Sequence, residues 1–87
     1  MASYKLLLRR SAEKELRKIS AGDLRRVVHA IQALAQDPRP PGARMLKVPE
    51  RYWRARQGDY RVIYEVDDHG KLVIIVKVGH RREVYDG

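Results

Sequence analysis

The stretch Tyr52-Trp53-Arg54-Ala55-Arg56-Gln57-Gly58-Asp59-Tyr60-Arg61-Val62-Ile63-Tyr64-Glu65-Val66 decides how this chain is read. Aromatic and basic residues alternate from Tyr52 to Gln57, and alternation resumes from Tyr60 to Val66. That is the period of a half-buried strand, since successive side chains of a strand point to opposite faces. Gly58-Asp59 between the two runs is a turn pair, so the stretch reads as a β-hairpin. Asp67-Asp68-His69-Gly70 makes a second turn, where aspartate is expected for backbone reasons. Leu72 to Val78 follows and is apolar on both faces, the mark of a central strand. The chain then ends in a basic segment, His80-Arg81-Arg82, closed by Tyr85.

Working back toward the N-terminus, Met45 to Val48 offers a short additional strand. Pro40-Pro41-Gly42 makes a loop, and Asp37-Pro38 stops a helix before it. That helix carries the clearest 3.6-residue period in the chain. Leu24, Val27, Val28, Ile31, Leu34 and Ala35 fall on one stripe, with Arg25, Arg26, Gln32 and Gln36 facing away. Ser20-Ala21-Gly22-Asp23 separates it from an earlier helix over residues 11–19, whose apolar positions are Ala12, Leu16 and Ile19. Ser11 is read as the N-cap of that earlier helix, with Glu13 and Glu15 favourable in its first turn. Tyr4 to Arg9 is a first strand. The order is β-α-α-β-β-β, an α+β domain in which a two-helix hairpin packs on a small, mostly antiparallel sheet.

Composition narrows the function classes. The 87 residues make one domain, residues 1–87, with one modest core. Nineteen Lys plus Arg against eleven Asp plus Glu give a net charge of +8, which predicts long-range attraction to polyanions. There are no cysteines, which excludes disulfide scaffolds and thiolate chemistry and fits a reducing compartment. The longest wholly apolar runs are far too short to cross a bilayer, and Met1-Ala2-Ser3-Tyr4-Lys5 enters a strand-like run without a basic-then-apolar signal. The expectation is a soluble cytoplasmic protein without membrane contact.

Most catalytic apparatus is missing from the sequence. Gly42, Gly58, Gly70 and Gly79 are isolated, so there is no phosphate-cradling glycine loop. His29, His69 and His80 lack metal-ligand spacing, and Ser3, Ser11 and Ser20 suit no serine triad. No cofactor and no metal site are expected. The arginines remain. Arg54 and Arg56 share a strand face with Tyr52, Arg61 lies just past the turn on the neighbouring strand, and Arg81 and Arg82 follow the central strand. Any one of these is most simply a solvated edge charge. As a set on a rigid sheet they suit phosphate, which guanidinium grips through a bidentate fork, and nucleobases, which stack on rings.

Tyr52-x-Arg54-x-Arg56-x-Gly58-Asp59-Tyr60-Arg61-Val62-Ile63-Tyr64-Glu65, together with Val76-x-Val78-Gly79-His80-Arg81-Arg82-Glu83-Val84-Tyr85, resembles the RelE branch of the RelE/ParE toxin superfamily. The likeness runs over nearly the whole chain. It implies the toxin half of a toxin–antitoxin pair, a ribosome-dependent endoribonuclease that cuts mRNA in the decoding site. The implied partners are a small acidic RelB-like antitoxin in a heteromeric complex, the small ribosomal subunit and mRNA. It also implies roles: Arg61 on the scissile phosphate, Arg81 on developing charge or the leaving group, and Tyr85 stacking on or orienting the nucleotide. Tyr52, Arg54, Arg56, His80 and Arg82 would contact RNA. Relatives carry lysines as well as arginine on the strand of Arg54 and Arg56, and an arginine cannot replace a lysine base. Tyr85, Glu83 and His80 are therefore candidates for the general base. A ParE-like protein that inhibits DNA gyrase by binding is the rival expectation.

Overall fold

The computed structural model describes residues 3–46 and 51–80. Its organising element is the apolar strand β5 (Leu72–His80), which lies inside a five-stranded sheet of order β1-β5-β4-β3-β2. On one side β5 pairs in parallel with β1 (Lys5–Leu8), and on the other it runs antiparallel to β4 (Tyr60–Asp67). The hairpin continues to β3 (Tyr52–Gln57), and β2 (Arg44–Met45) closes the far edge. The interior position of β5 between β1 and β4 suits the almost continuously apolar run Leu72 to Val78, which is buried at Val73, Ile75 and Val78 toward the helices and half-buried at Leu72 and Ile74. The short extra strand is confined to two residues here, and Lys47 and Val48 lie outside the described residues.

Two helices, α1 (Arg10–Arg17) and α2 (Ala21–Gln36), cover one sheet face. Ala12 of α1 and Val27, Ile31 and Leu34 of α2 join Val62, Tyr64, Val73, Ile75 and Val78 in a single core. The α2 stripe is narrower than its sequence suggests. Leu24, Val28 and Ala35 are only half-buried, and Leu24 and Val28 line a shallow depression on the outer flank.

The expected cap at Ser11 is a correction. Helix α1 begins one residue earlier, Arg9 is its N-cap, and no side chain caps it. The Ser11 hydroxyl instead donates 2.8 Å to the carbonyl of Val76. Val76 is the residue that the β4–β5 register skips, because Ile63 pairs with Lys77 while Tyr64 pairs with Ile75. Such a bulge interrupts the ladder, and the hydroxyl ties that point of β5 to α1. Ser20 occupies the N-cap of α2, likewise without a side-chain cap bond.

A polar clamp holds the opposite end. Asp68 accepts from the Tyr4 hydroxyl at 2.8 Å and from both Arg39 terminal nitrogens, at 3.2 and 2.8 Å. The Arg39 guanidinium also lies 5.2 Å from the Trp53 ring centre. Beneath it the Tyr64 hydroxyl donates 2.7 Å to the Pro38 carbonyl, so the segment after α2 is pinned to the sheet. Asp67 makes the expected local turn bond, accepting from the Gly70 amide at 3.0 Å.

Candidate nucleic-acid interface

Alternation sorts the strands into two faces. Trp53, Ala55, Tyr60, Val62, Tyr64, Val66, Val73, Ile75 and Val78 belong to the helix side. The other face therefore carries Tyr52, Arg54 and Arg56 on β3, Arg61, Ile63 and Glu65 on β4, and Leu72, Ile74, Lys77 and Gly79 on β5. No helix among the described residues covers it.

Of the expected arginines, Arg54, Arg56 and Arg61 lie together on this open face. Arg56 and Arg61 are direct cross-strand partners, and Arg54 sits one step along, opposite Ile63. Arg44, which sequence reasoning missed, stands opposite Arg54 on the other side and extends the same face. Arg54 is only 9% exposed, and the Nε atoms of Arg54 and Arg61 are shielded from solvent. Partial burial restricts where these guanidinium groups can point, unlike a loose cationic fringe. Opposite Arg61 on β5 is Gly79, so no side chain occupies that neighbouring position.

Not every expected residue joins this group. His80 is on the helix side, its ring 5.6 Å from that of Tyr60 at 80°, an edge-to-face pair. It lines a cleft of about 340 Å³ with Asp23, Arg26 and Asp59, across the sheet from Arg61. The expectation that His80 belongs with the RNA-contacting arginines is thus not met, because the bulge at Val76 reverses the alternation beyond it. Tyr52 is on the open face, but the Arg51 guanidinium lies 5.0 Å over its ring. One stacking surface of Tyr52 is already taken. Arg81, Arg82 and Tyr85, together with Glu83, lie outside the described residues.

Lys77 and Glu65 were also missed. Lys77 reaches the open face only through the bulge, opposite Ile63. Glu65 lies opposite Tyr52 and receives Arg9 at 3.7 Å and Arg51 at 3.3 Å. Among the described residues, no three His, Asp or Glu side chains come together to hold a metal ion. No helix of the described residues is long and apolar enough to cross a membrane.

A basic, helix-free sheet face with a two-helix layer behind it defines a class. The chain belongs to the RelE/ParE superfamily of type II toxin–antitoxin toxins: residues 6–85 match the model of the ParE toxin of type II toxin–antitoxin systems, parDE. Toxin RelG of Mycobacterium tuberculosis is 30% identical over 83 residues, spanning 94% of this chain and 95% of the relative. The RelBE2 toxin–antitoxin complex of the same organism has a TM-score of 0.85 at 28% identity, covering 95% of this chain and 97% of that one. The archaeal RelE–RelB complex from Pyrococcus horikoshii superposes with a TM-score of 0.80, also at 28% identity, covering 94% and 99%. The protein is a RelE-type toxin by family and fold.

Proposed function

We propose that this toxin is an endoribonuclease that cuts mRNA in the decoding site of the ribosome. The observation that carries the reading is the Arg54, Arg56 and Arg61 cluster, which gathers on the open face of two neighbouring strands. Similarity to Toxin RelG and to the RelE structures supports it. The RNA 2′-hydroxyl oxygen attacks the adjacent phosphorus in line, and the bond to the 5′-oxygen breaks. The products are a 2′,3′-cyclic phosphate and a 5′-hydroxyl, the 2′ proton passing to a base and the leaving oxygen gaining one. Arg61 holds the scissile phosphate and Arg81 stabilises the charge that builds on it, while Tyr85 orients the nucleotide. With His80 on the other face, Tyr85 and Glu83 are the proton acceptors to test.

The partner in this reading is a small acidic RelB-like antitoxin. Its acidic groups would neutralise the arginines, and its apolar residues would cover Leu7, which is 49% exposed beside Leu72 and Ile74. The second reading, inhibition of DNA gyrase by binding, is favoured by one observation: the matching family model is that of the ParE toxin. Mapping transcript 5′ ends after induction in cells separates the two. Codon-phased cuts on translated messages support the nuclease. A DNA-damage response with intact transcripts supports the gyrase reading and rejects the nuclease.

A further inference from the structure

At the far end of the open face from Arg61, three elements converge on one carboxylate. Arg9, between β1 and α1, reaches Glu65 Oε1 at 3.7 Å, and Arg51, just before β3, reaches Oε2 through its Nε at 3.3 Å. The Arg51 guanidinium is then laid over Tyr52, 5.0 Å from the ring centre. Exposed ion pairs of this kind add little to stability, so fold stability does not account for the arrangement. What the arrangement does is orient. Glu65 is 24% exposed, whereas the Arg9 and Arg51 side chains are 52% and 66% exposed, so the anchor is sheltered and the cations are offered outward. One carboxylate shared by two guanidinium groups leaves the cluster with a net positive charge. Arg51 meets the carboxylate through its Nε, and among the described residues its terminal nitrogens make no further ion pair. Tyr52, Arg54 and Arg56 are successive same-face positions of β3, so this cluster lies about 13 Å along the strand from the Arg56–Arg61 pair.

We infer that Arg9, Arg51 and Tyr52, organised around Glu65, form an outer subsite for single-stranded RNA that binds a nucleotide away from the cut. The inference rests on the nucleic-acid reading of the open face given above. A base stacks on the Arg51 guanidinium, backed by the Tyr52 ring, and Arg9 takes a neighbouring phosphate. Glu65 is a positioning residue that holds both arginines in place.

The test is anisotropy binding of 2′-O-methyl RNAs, which lack the attacking hydroxyl, at lengths of three and ten nucleotides. Arg51→Ala should weaken the ten-nucleotide strand about fivefold or more, the loss of one stacked base. Arg9→Ala should lower the salt slope for that strand by about 0.7, the loss of one phosphate contact. Neither should alter the three-nucleotide strand, and Arg25→Ala on the exposed side of α2 serves as the charge control. Glu65→Gln should weaken the longer strand although it makes the face more positive; tighter binding would overturn its positioning role. Equal losses at both lengths, or losses matched by Arg25→Ala, overturn the subsite. If Arg61→Ala weakens both RNAs while Arg9→Ala and Arg51→Ala change neither, only the outer subsite falls. If Arg61→Ala also has no effect, the RNA reading of the face falls with it.

Discussion

Arg56 on β3 and Arg61 on β4 stand directly opposite one another, on the sheet face that the helices leave open. Like charges in directly opposed strand positions carry a cost in a sheet that neighbouring counter-charges offset. An anionic ligand lying between the two side chains reverses that cost.

This relationship makes a trade-off measurable. Arg56→Glu converts the opposed pair into a cross-strand ion pair and should stabilise the protein by roughly 0.2–1 kcal/mol. The same change should strongly reduce RNA cleavage, because it places a negative charge on the phosphate path. Thermal melts beside a cleavage assay check both halves. A variant that is both more stable and fully active would remove Arg56 from the substrate path.

Arg61→Ala should abolish growth inhibition while leaving the fold and antitoxin binding intact. The loss removes one preorganised donor from an anionic centre, on the order of 2–4 kcal/mol of transition-state stabilisation. A folded Arg61→Ala that cleaves at the wild-type rate would sink the proposed centre.

The clamp at the other end of the sheet gives an acid-sensitive term. Hydrogen bonds from Arg39 and then Tyr4 hold the Asp68 carboxyl below its ordinary 3.8. A lowered folded pKa contributes stability that is fully present above the unfolded value and fades as pH falls through the folded one. Asp68→Asn should therefore be less stable than the parent at neutral pH, and the two should converge below about pH 3.8. Denaturant titrations at pH 7, 4 and 2.5 test this. A constant difference across the series would mean that Asp68 acts by something other than its charge.

Much of this fold was legible because periods of 2 and 3.6 are written into the chain. The hairpin at Gly58-Asp59, the interior strand β5 and the buried trio Val27, Ile31 and Leu34 follow from alternation and turn chemistry. The shared face of Arg54, Arg56 and Arg61 follows in the same way. What escaped depends on single irregularities. Counting by twos along β5 cannot reveal that Val76 is skipped, so it assigns Lys77 and His80 to the wrong faces. Ser11 looks like a cap in sequence because only the folded sheet brings the Val76 carbonyl to it. Arg9 and Arg51 were passed over since they flank regular elements, and Arg44 since its strand is only two residues long, so no period reports direction.

The buried end of the clamp should respond to alkali. Tyr64 is fully buried, with its hydroxyl 2.7 Å from the Pro38 carbonyl, and burial pushes its pKa up to about 12 from 10.0. Below pH 10 the hydroxyl is protonated in both folded and unfolded chains and its ionisation adds nothing. Between 10 and about 12 the unfolded chain ionises first, so stability is lost across that window, by roughly 2–3 kcal/mol for a shift of this size. Tyr64→Phe keeps the ring but removes both the hydrogen bond and the ionisable group. At pH 7 it should cost about 1 kcal/mol, because the Pro38 carbonyl loses its donor. As pH rises past 10 the variant should lose less stability than the parent, and the two curves should cross before pH 12. Tyr4, whose pKa is also raised by its bond to Asp68, supplies part of the slope that remains. Urea titrations at pH 7, 10, 11 and 12 would resolve the crossing. Parallel curves over that range would show that the Tyr64 hydroxyl is not held neutral by its surroundings.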